Sequence, residues 1–229
     1  MTRIARLVVP GLPHLVTQRG NRHGQTFFAD SDYLLYLTLL AEATHRAGTE
    51  IWAYCLMPNH VHLILNPRHA DGLRATFADV HRRYTTAINA RHGWTGHLWQ
   101  GRFASVAMDE HYLLHALRYV LLNPLRAGLV RHLSDWPWSS VGAYLGTCDQ
   151  RLVKVAPVLA RIGDVAAYLA EPHDISRSFS LIRQAETTGR PLGSSNWIEQ
   201  LEHQSGRLLA ARKRGPKPRQ CRPSEINPL

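Results

Sequence analysis

The alternation of apolar and polar positions divides the first part of the chain into short strands and amphipathic helices. Strand-like runs, rich in β-forming residues and bounded by turn residues, occupy residues 14–20, 51–57, 60–65 and 103–108. Helical apolar spacing fills the stretch before Gly48 and residues 72–92. The order of strand, helix, strand, strand, helix, strand predicts an α+β fold. We expect a ferredoxin-like antiparallel sheet with two helices on one face and the other face available for a ligand.

Helix-boundary residues refine this prediction. Asp30, Ser31 or Asp32 can cap the first helix. A third helix is predicted over residues 110–123, across or beside the sheet. It ends before Pro124, because proline disfavours helical geometry in the residue that precedes it. This helix is additional to the two that the ferredoxin-like pattern requires.

Composition divides the chain into three predicted regions. Residues 1–150 carry the sheet and its helices and close with a packed segment at residues 135–145. Residues 151–206 form a small helical appendage, and residues 207–229 form a basic tail. The two helices expected around residues 188–193 are either a helix-turn-helix that binds duplex DNA or a simple packing hairpin.

The tail carries most of the excess positive charge. The chain has 27 Lys and Arg against 17 Asp and Glu, a net charge of +10, and a pI near 10.1. Residues 207–222 hold seven of the basic residues and no acid. Clustered basic residues bind nucleic-acid phosphates and release their counterions. We therefore expect DNA contacts from Arg212, Lys213, Arg214 and Lys217, with a merely solubilising tail as the alternative.

Composition also argues against several classes of protein. No apolar run approaches the roughly 18 residues needed to span a bilayer. The first ten residues lack the pattern of an export signal, so no membrane partner and a cytoplasmic, nucleoid-associated location are expected. Three widely spaced cysteines are typical of reduced thiols rather than of a disulfide framework.

Two histidines, His60 and His62, lie one residue apart on the third predicted strand. Side chains at i and i+2 project from the same face of a strand. Both imidazoles therefore face one way, while Val61, Leu63 and Leu65 face the core beneath the helices. This arrangement can present a metal site, although a pair of hydrogen-bonded, partly exposed histidines has the same spacing.

Tyr119 and Asn123 lie four residues apart on the third predicted helix, so a phenol and an amide project from one helical face. A tyrosine is a credible nucleophile toward phosphorus when its surroundings activate it. The alternative is an ordinary core tyrosine. Tyr112 is a rival nucleophile on nearly the same face, but Ala116 stands where an amide would be needed.

Four motifs together resemble a known family. They are MPNHVHLIL at residues 57–65, HLWQGRF at 97–103, RYVLLNPLRAGLV at 118–130 and DWPWSS at 135–140. In this order they are similar to the REP-associated tyrosine transposases, single-tyrosine enzymes with a His-hydrophobe-His motif that are related to insertion-sequence transposases. The resemblance covers residues 1 to about 145. GRPLG at residues 189–193 is similar to the C-terminal region of one branch of that family.

The resemblance implies that residues 1–150 form a catalytic domain that cleaves and rejoins single-stranded DNA at hairpin-forming repeats. It implies Tyr119 as the nucleophile, a 5′-phosphotyrosine intermediate, and His60 and His62 as ligands of a divalent metal. Asn123 matches a polar residue that completes the metal shell in relatives. That residue is often a glutamine, and the asparagine side chain is one carbon shorter. The expected ion is Mg²⁺ or Mn²⁺: imidazole ligands favour Mn²⁺, whereas cellular abundance favours Mg²⁺.

Six further polar or aromatic residues are candidate DNA contacts, each with a structural alternative. The first group, at the end of the first strand, can contact phosphates or bases, or merely form a solvated strand end; its members are Gln18, Arg19 and Asn21. The second group can stack on and clamp an unpaired base, with a packed tryptophan as the alternative; its members are Trp99, Gln100 and Arg102.

Two other functions remain open at this point. The first is a protein on the same scaffold that binds hairpin DNA and has no catalytic activity. The second is a metal-dependent hydrolase, which would use the histidines to activate water without a covalent step. A monomer is favoured slightly over a homodimer, because the segment at residues 109–112 is short.

Overall fold

The computed structural model describes residues 4–147, 151–171 and 176–210. Four antiparallel strands form its sheet: β1 His14–Arg19, β2 Thr49–Met57, β3 His60–Pro67 and β4 Ala104–Ala107. Their order is β2-β3-β1-β4, with every neighbouring pair antiparallel. This is the strand order of a ferredoxin-like sheet, and the α+β prediction is confirmed.

Two long helices, α1 Asp30–Arg46 and α2 Gly72–His92, cover one face of the sheet. Val61, Leu63 and Leu65 belong to the core between this face and the helices, and all three are fully buried. The alternation predicted for the strand that carries the histidines is therefore confirmed.

The remaining helices follow the sheet. They are α3 Glu110–Leu121, α4 Asn123–Arg126, α5 Val141–Tyr144, α6 Ala156–Ile162, α7 Val165–Ala170, α8 Ser176–Thr188 and α9 Ser195–Ser205. The second face of the sheet, which was expected to be available for a ligand, is covered by α3, as the position predicted for the third helix allows, and also by α8, which was not expected there. Leu15, Ile64 and Phe179 belong to the second core that they enclose. Apolar residues lie on both faces of β1 and β3, so both faces need a cover.

Both edges of the sheet are covered by later parts of the chain. Along β2, the backbone N–H of Leu56 donates to the carbonyl of Trp138, and that of Ser140 donates to Tyr54. Along β4, the N–H of Leu192 donates to the carbonyl of Ala107. Residues 135–145 thus form the packed closing segment that the sequence predicted. Residues 189–193 shield the opposite edge from pairing with other chains.

The two predicted helix boundaries have different outcomes. Asp32, one of the three candidate capping residues, closes the first turn of α1 from inside the helix, where its carboxylate accepts the N–H groups of Phe28 and Ala29 at 2.8 and 3.1 Å. Helix α3 ends at Leu121 rather than at residue 123, and Asn123 begins α4. Pro124 has no N–H to donate to the carbonyl of Val120, so the helical hydrogen-bond pattern is interrupted there.

No helix among the described residues is long and apolar enough to cross a membrane. Cys55 is a buried, free thiol. The four basic residues predicted to contact DNA from the tail, Arg212, Lys213, Arg214 and Lys217, lie outside the described residues.

Candidate active site

The phenol of Tyr119 and the two imidazoles meet within one chain, on the sheet face covered by α3 and α8. The rings of His60 and His62 have centroids 4.8 Å apart, and the ring of Tyr119 lies 5.2 Å from that of His62. Both pairs are edge-to-face. The side chains that the sequence selected on β3 and on α3 are therefore neighbours.

Hydrogen bonding fixes the orientation of His60. The Asn59 amide nitrogen donates to the His23 carbonyl at 3.0 Å, so the amide oxygen of Asn59 faces the His60 ring. His60 Nδ1 lies 2.6 Å from that oxygen and must donate to it. Burial lowers the pKa of His60 to about 2, and the neighbouring His62, Arg19 and His23 act in the same direction. The ring is therefore neutral and leaves the Nε2 lone pair available.

His62 is held through two other elements. Its Nδ1 lies 3.3 Å from the hydroxyl of Thr17, which is its partner across β1 and β3. That hydroxyl donates to Oε1 of Glu186 on α8 at 2.5 Å, and His62 Nδ1 itself lies 3.5 Å from the same oxygen. Burial alone would raise the pKa of Glu186, but His62 and Thr17 outweigh it and the pKa lies below its ordinary value. The carboxylate is therefore the ionised end of this chain of contacts.

Sequence reasoning missed both Thr17 and Glu186. A signal for the second was present, because Glu186 lies four residues after Ile182 and seven after Phe179, on the buried stripe of α8. An acid on such a stripe needs a partner inside the protein. Thr17 gave no comparable signal, since threonine is an ordinary strand residue.

The hydroxyl of Tyr119 faces the same carboxylate, 3.4 Å from Glu186 Oε2. Burial and the negative charge of Glu186 raise the pKa of Tyr119 well above its ordinary value, against the opposing charges of Arg126 and Arg183. The guanidinium of Arg126 lies 5.4 Å from the centre of the phenol ring. In this arrangement Tyr119 is a neutral phenol at physiological pH.

The structure places Asn123 at the start of α4, half-buried and beyond the end of α3. Within the described part of the chain, its side chain makes no hydrogen bond to His60, His62 or Tyr119. No cluster of three or more His, Cys, Asp or Glu side chains suited to a metal is found among the described residues. The metal-ligating groups brought together are thus two imidazoles. In each of them Nδ1 is hydrogen-bonded within the protein, which leaves Nε2 as the nitrogen that could bind an ion. This set fits a divalent ion that accepts nitrogen ligands and takes its other ligands from water or substrate oxygens.

A groove of about 630 Å³ is lined by Thr17 and Glu186, the residues that contact His62. Arg19 on β1 and Gln100 and Arg102 on the loop before β4 also line it, and α8 adds Arg183, which sequence reasoning had not selected. Another polar candidate, Asn21, is exposed on the turn after β1. The groove is therefore basic, and it adjoins the site through Thr17 and Glu186.

Two of the predicted DNA contacts are buried instead. The Trp99 side chain is 6% exposed and packs against Phe27, Tyr36 and Tyr84, so its ring is enclosed by the core and has no free face for a base. Gln18 is 2% exposed, and its amide donates at 3.2 Å to the carbonyls of Arg19 and Gln100. Trp99 does not line the groove and Gln18 lines it only as a buried residue, so the prediction of both as direct contacts is corrected.

Comparison with known proteins shows what one segment of the chain is similar to. Residues 12–122, which hold the sheet, both histidines and Tyr119, match the family model described as "Transposase IS200 like". This segment is similar to that family of transposases, and the resemblance inferred from the motifs is confirmed.

Two curated relatives carry a more specific name. The REP-associated tyrosine transposase of Escherichia coli K12 is 26% identical over 92 residues, which are 40% of this chain and 53% of that protein. A Haemophilus influenzae protein with the same family description is 28% identical over 102 residues, 40% of this chain and 58% of its own length. The chain thus spans little more than half the length of these relatives.

A solved REP-associated tyrosine transposase bound to a REP hairpin has a TM-score of 0.55 and 21% identity, covering 67% of this chain and 98% of that one. That likeness shows a shared fold.

Proposed function

We propose that this protein is a DNA-processing enzyme, a transposase that cleaves and rejoins single-stranded DNA at hairpin-forming repeats through a covalent bond to Tyr119. The observation that carries the proposal is the meeting of a phenol with two oriented imidazoles, at a site that a basic groove adjoins through Thr17 and Glu186. The match of residues 12–122 to the IS200-like transposase family and the hairpin bound by the structural neighbour support DNA as the substrate.

In the proposed reaction the phenolic oxygen of Tyr119 attacks phosphorus, and the bond between phosphorus and the 3′ oxygen breaks. The phenol loses its proton and the departing 3′ oxygen gains one, so a 5′-phosphotyrosine and a free 3′-hydroxyl result. The phosphate ester bond to the 3′ oxygen is exchanged for a phosphate ester bond to tyrosine. Because the bond energy is conserved in this way, the later joining step needs no nucleotide cofactor.

His60 and His62 would hold a divalent ion through their Nε2 atoms. Such an ion, Mn²⁺ or Mg²⁺, supplies positive charge for the phosphate oxygens when it is bound. Asn123 remains a proposed additional ligand. Asn59 and Thr17 occupy the Nδ1 positions of the two rings, so Nε2 of each ring is the position left for an ion. Arg19, Arg102 and Arg183 would hold the DNA backbone in the groove.

A binding protein for hairpin DNA, without cleavage, is the second candidate. It is favoured by the state of Tyr119, whose hydroxyl faces Glu186 and whose pKa is raised by burial and by that carboxylate. A nucleophile needs the opposite shift or a proton acceptor in the complex. This candidate predicts DNA binding without a covalent adduct.

The test is covalent capture of DNA. The full chain is incubated with a labelled single-stranded oligonucleotide that carries a hairpin, with Mn²⁺ or with EDTA, and the adduct is resolved on a denaturing gel. We expect an adduct with Mn²⁺, none with EDTA, and none for Tyr119→Phe. Tyr112→Phe is the matched control, because Tyr112 lies on the same helix and contacts His111 and His115 instead.

Loss of the adduct in Tyr112→Phe with retention in Tyr119→Phe would show that the nucleophile is misassigned. Binding of the hairpin by the unmodified chain, without an adduct under any metal condition, would favour the binding protein. Adduct formation that persists in EDTA would remove the metal from the proposal.

A further inference from the structure

Three side chains from three separate elements form a buried chain of contacts behind His62. Thr17 comes from β1, His62 from β3 and Glu186 from α8. Their side chains are almost fully enclosed: His62 is 1% exposed, Glu186 13%, and the residue Thr17 is 8% exposed. Contacts this well shielded from water are electrostatically stronger than surface contacts.

We infer that Glu186 and Thr17 are positioning residues for His62, which fix its ring orientation and its Nδ1–H tautomer and so direct Nε2 toward the divalent ion. The inference rests on the proposed function, and it deepens that function by assigning a part of the site to the appended helix α8. Carboxylates behind metal-ligating histidines commonly act in this way, and their loss costs 10- to 100-fold in metal affinity.

The direction of the hydrogen bonds supports this assignment. The Thr17 hydroxyl donates its proton to Glu186 Oε1. The oxygen of that hydroxyl is then left as an acceptor 3.3 Å from His62 Nδ1, and the second contact of Nδ1 is again the carboxylate. Both neighbours of Nδ1 accept, so Nδ1 carries a proton and Nε2 is the nitrogen left for an ion.

Glu186 also connects the two halves of the site, because its other oxygen faces the Tyr119 hydroxyl at 3.4 Å. One carboxylate therefore sets the distance between the proposed nucleophile and the proposed ligand. Helix α8 lies beyond residues 12–122, the segment that matches the family model. Of the two residues behind His62, Thr17 lies within the matched segment and Glu186 lies outside it.

The test measures metal binding and the tautomer directly. Mn²⁺ alone is titrated into the full chain and followed by electron paramagnetic resonance, and the His62 tautomer is read from ¹⁵N chemical shifts of the imidazole. The variants are Glu186→Ala, Glu186→Gln and Thr17→Val. Glu199→Gln, an exposed acid on α9, is the matched control. Thermal unfolding by circular dichroism confirms that each variant is folded, and Gln and Val preserve volume where Ala leaves a gap.

We expect about 10-fold weaker Mn²⁺ binding or more for Glu186→Ala, with loss of the single Nδ1–H tautomer. Thr17→Val should weaken binding as well. Glu186→Gln should retain part of the affinity, since its amide oxygen still accepts from Thr17, and Glu199→Gln should match the unaltered chain.

Unchanged Mn²⁺ affinity and an unchanged tautomer in Glu186→Ala would overturn the inference. So would unchanged affinity combined with a higher yield of DNA adduct, because Glu186 would then act as a block on Tyr119. An unaltered chain that binds Mn²⁺ with the expected losses in the variants, yet forms no adduct, would refute the proposed function and leave the inference standing.

Discussion

Trp99 illustrates how the environment of one side chain decides between two functions for the same residue type. Its ring lies in a cluster of aromatic side chains, at 4.7 Å from His81 and 5.9 Å from Tyr84 between ring centres. A tryptophan in a loop next to a basic groove has the sequence context of a residue that stacks on bases. Because Trp99 is buried in the core, its role is to stabilise the fold.

The first prediction concerns this residue. Trp99→Ala should lower the free energy of unfolding by about 3–5 kcal/mol, because it empties a large volume of packed core. Trp94 is 48% exposed on the same loop, and Trp94→Ala should cost about 1 kcal/mol or less. Urea unfolding measures both. A stable Trp99→Ala chain with selectively weakened DNA binding would contradict the core assignment.

Arg183 is the basic residue that the fold adds to the groove. We predict that Arg183→Ala weakens binding of single-stranded DNA and reduces the slope of log affinity against log salt by about 0.7, the value for one released counterion. Arg177→Ala is the matched control, since Arg177 is exposed on the same helix and does not line the groove. Fluorescence anisotropy between 50 and 300 mM salt measures both, and equal slopes for the two variants would remove Arg183 from the DNA path.

At the scale of elements, the start of α1 depends on a contact with α2. Asp32 accepts two backbone N–H groups before the helix, and its Oδ1 forms an ion pair at 2.6 Å with Arg91 near the end of α2. Burial alone would raise the pKa of Asp32, but Arg91 and the amides of Phe28 and Ala29 outweigh it and lower the pKa. The same carboxylate therefore caps one helix and attaches it to the next.

This pair predicts a pH dependence of stability. Asp32→Asn should lower the free energy of unfolding by about 1–2 kcal/mol at pH 7. A lowered folded pKa means that the contribution is fully present above the unfolded value near 3.9 and is lost as pH falls through the folded pKa. The difference between the two chains should therefore shrink below about pH 4.

Urea unfolding at pH 7 and pH 3 provides the measurement. Asp30→Asn serves as the control, since Asp30 is exposed in the same helical turn and should cost about 0.5 kcal/mol or less. A loss in Asp32→Asn that is the same at both pH values would show that the charge of Asp32 contributes nothing to stability.

At the scale of the whole molecule, positive charge is concentrated along the groove and in the tail. The groove holds Arg19, Arg102 and Arg183, and the sequence places a further basic cluster in the tail. Fields of one sign raise the local concentration of an oppositely charged polymer and accelerate its capture. The distribution of charge therefore favours a polyanionic substrate independently of the chemistry at Tyr119.

The tail prediction is tested by neutralising Arg212, Lys213, Arg214 and Lys217 together with alanine. We expect weaker binding of single-stranded DNA and a salt slope smaller by up to about 3, because as many as four counterions are no longer released. Adduct yield at saturating DNA should be preserved, since these residues are not assigned to the chemistry. An unchanged slope would favour a tail that only improves solubility.

The sequence by itself determined the strand and helix order, the face of β3 that carries His60 and His62, and the helix that carries Tyr119. These follow from periodicities of two and 3.6 residues, which are local properties of the backbone. The motifs between residues 57 and 140 also indicated the resemblance to a transposase family, which the match over residues 12–122 confirms.

Only the tertiary structure decided that α8 covers the second face of the sheet, that Glu186 and Thr17 stand behind His62, and that Trp99 is enclosed. The contact between Glu186 and His62 joins residues 124 positions apart. No local pattern specifies such a pair, because it exists only when packing of apolar surfaces has brought the two elements together.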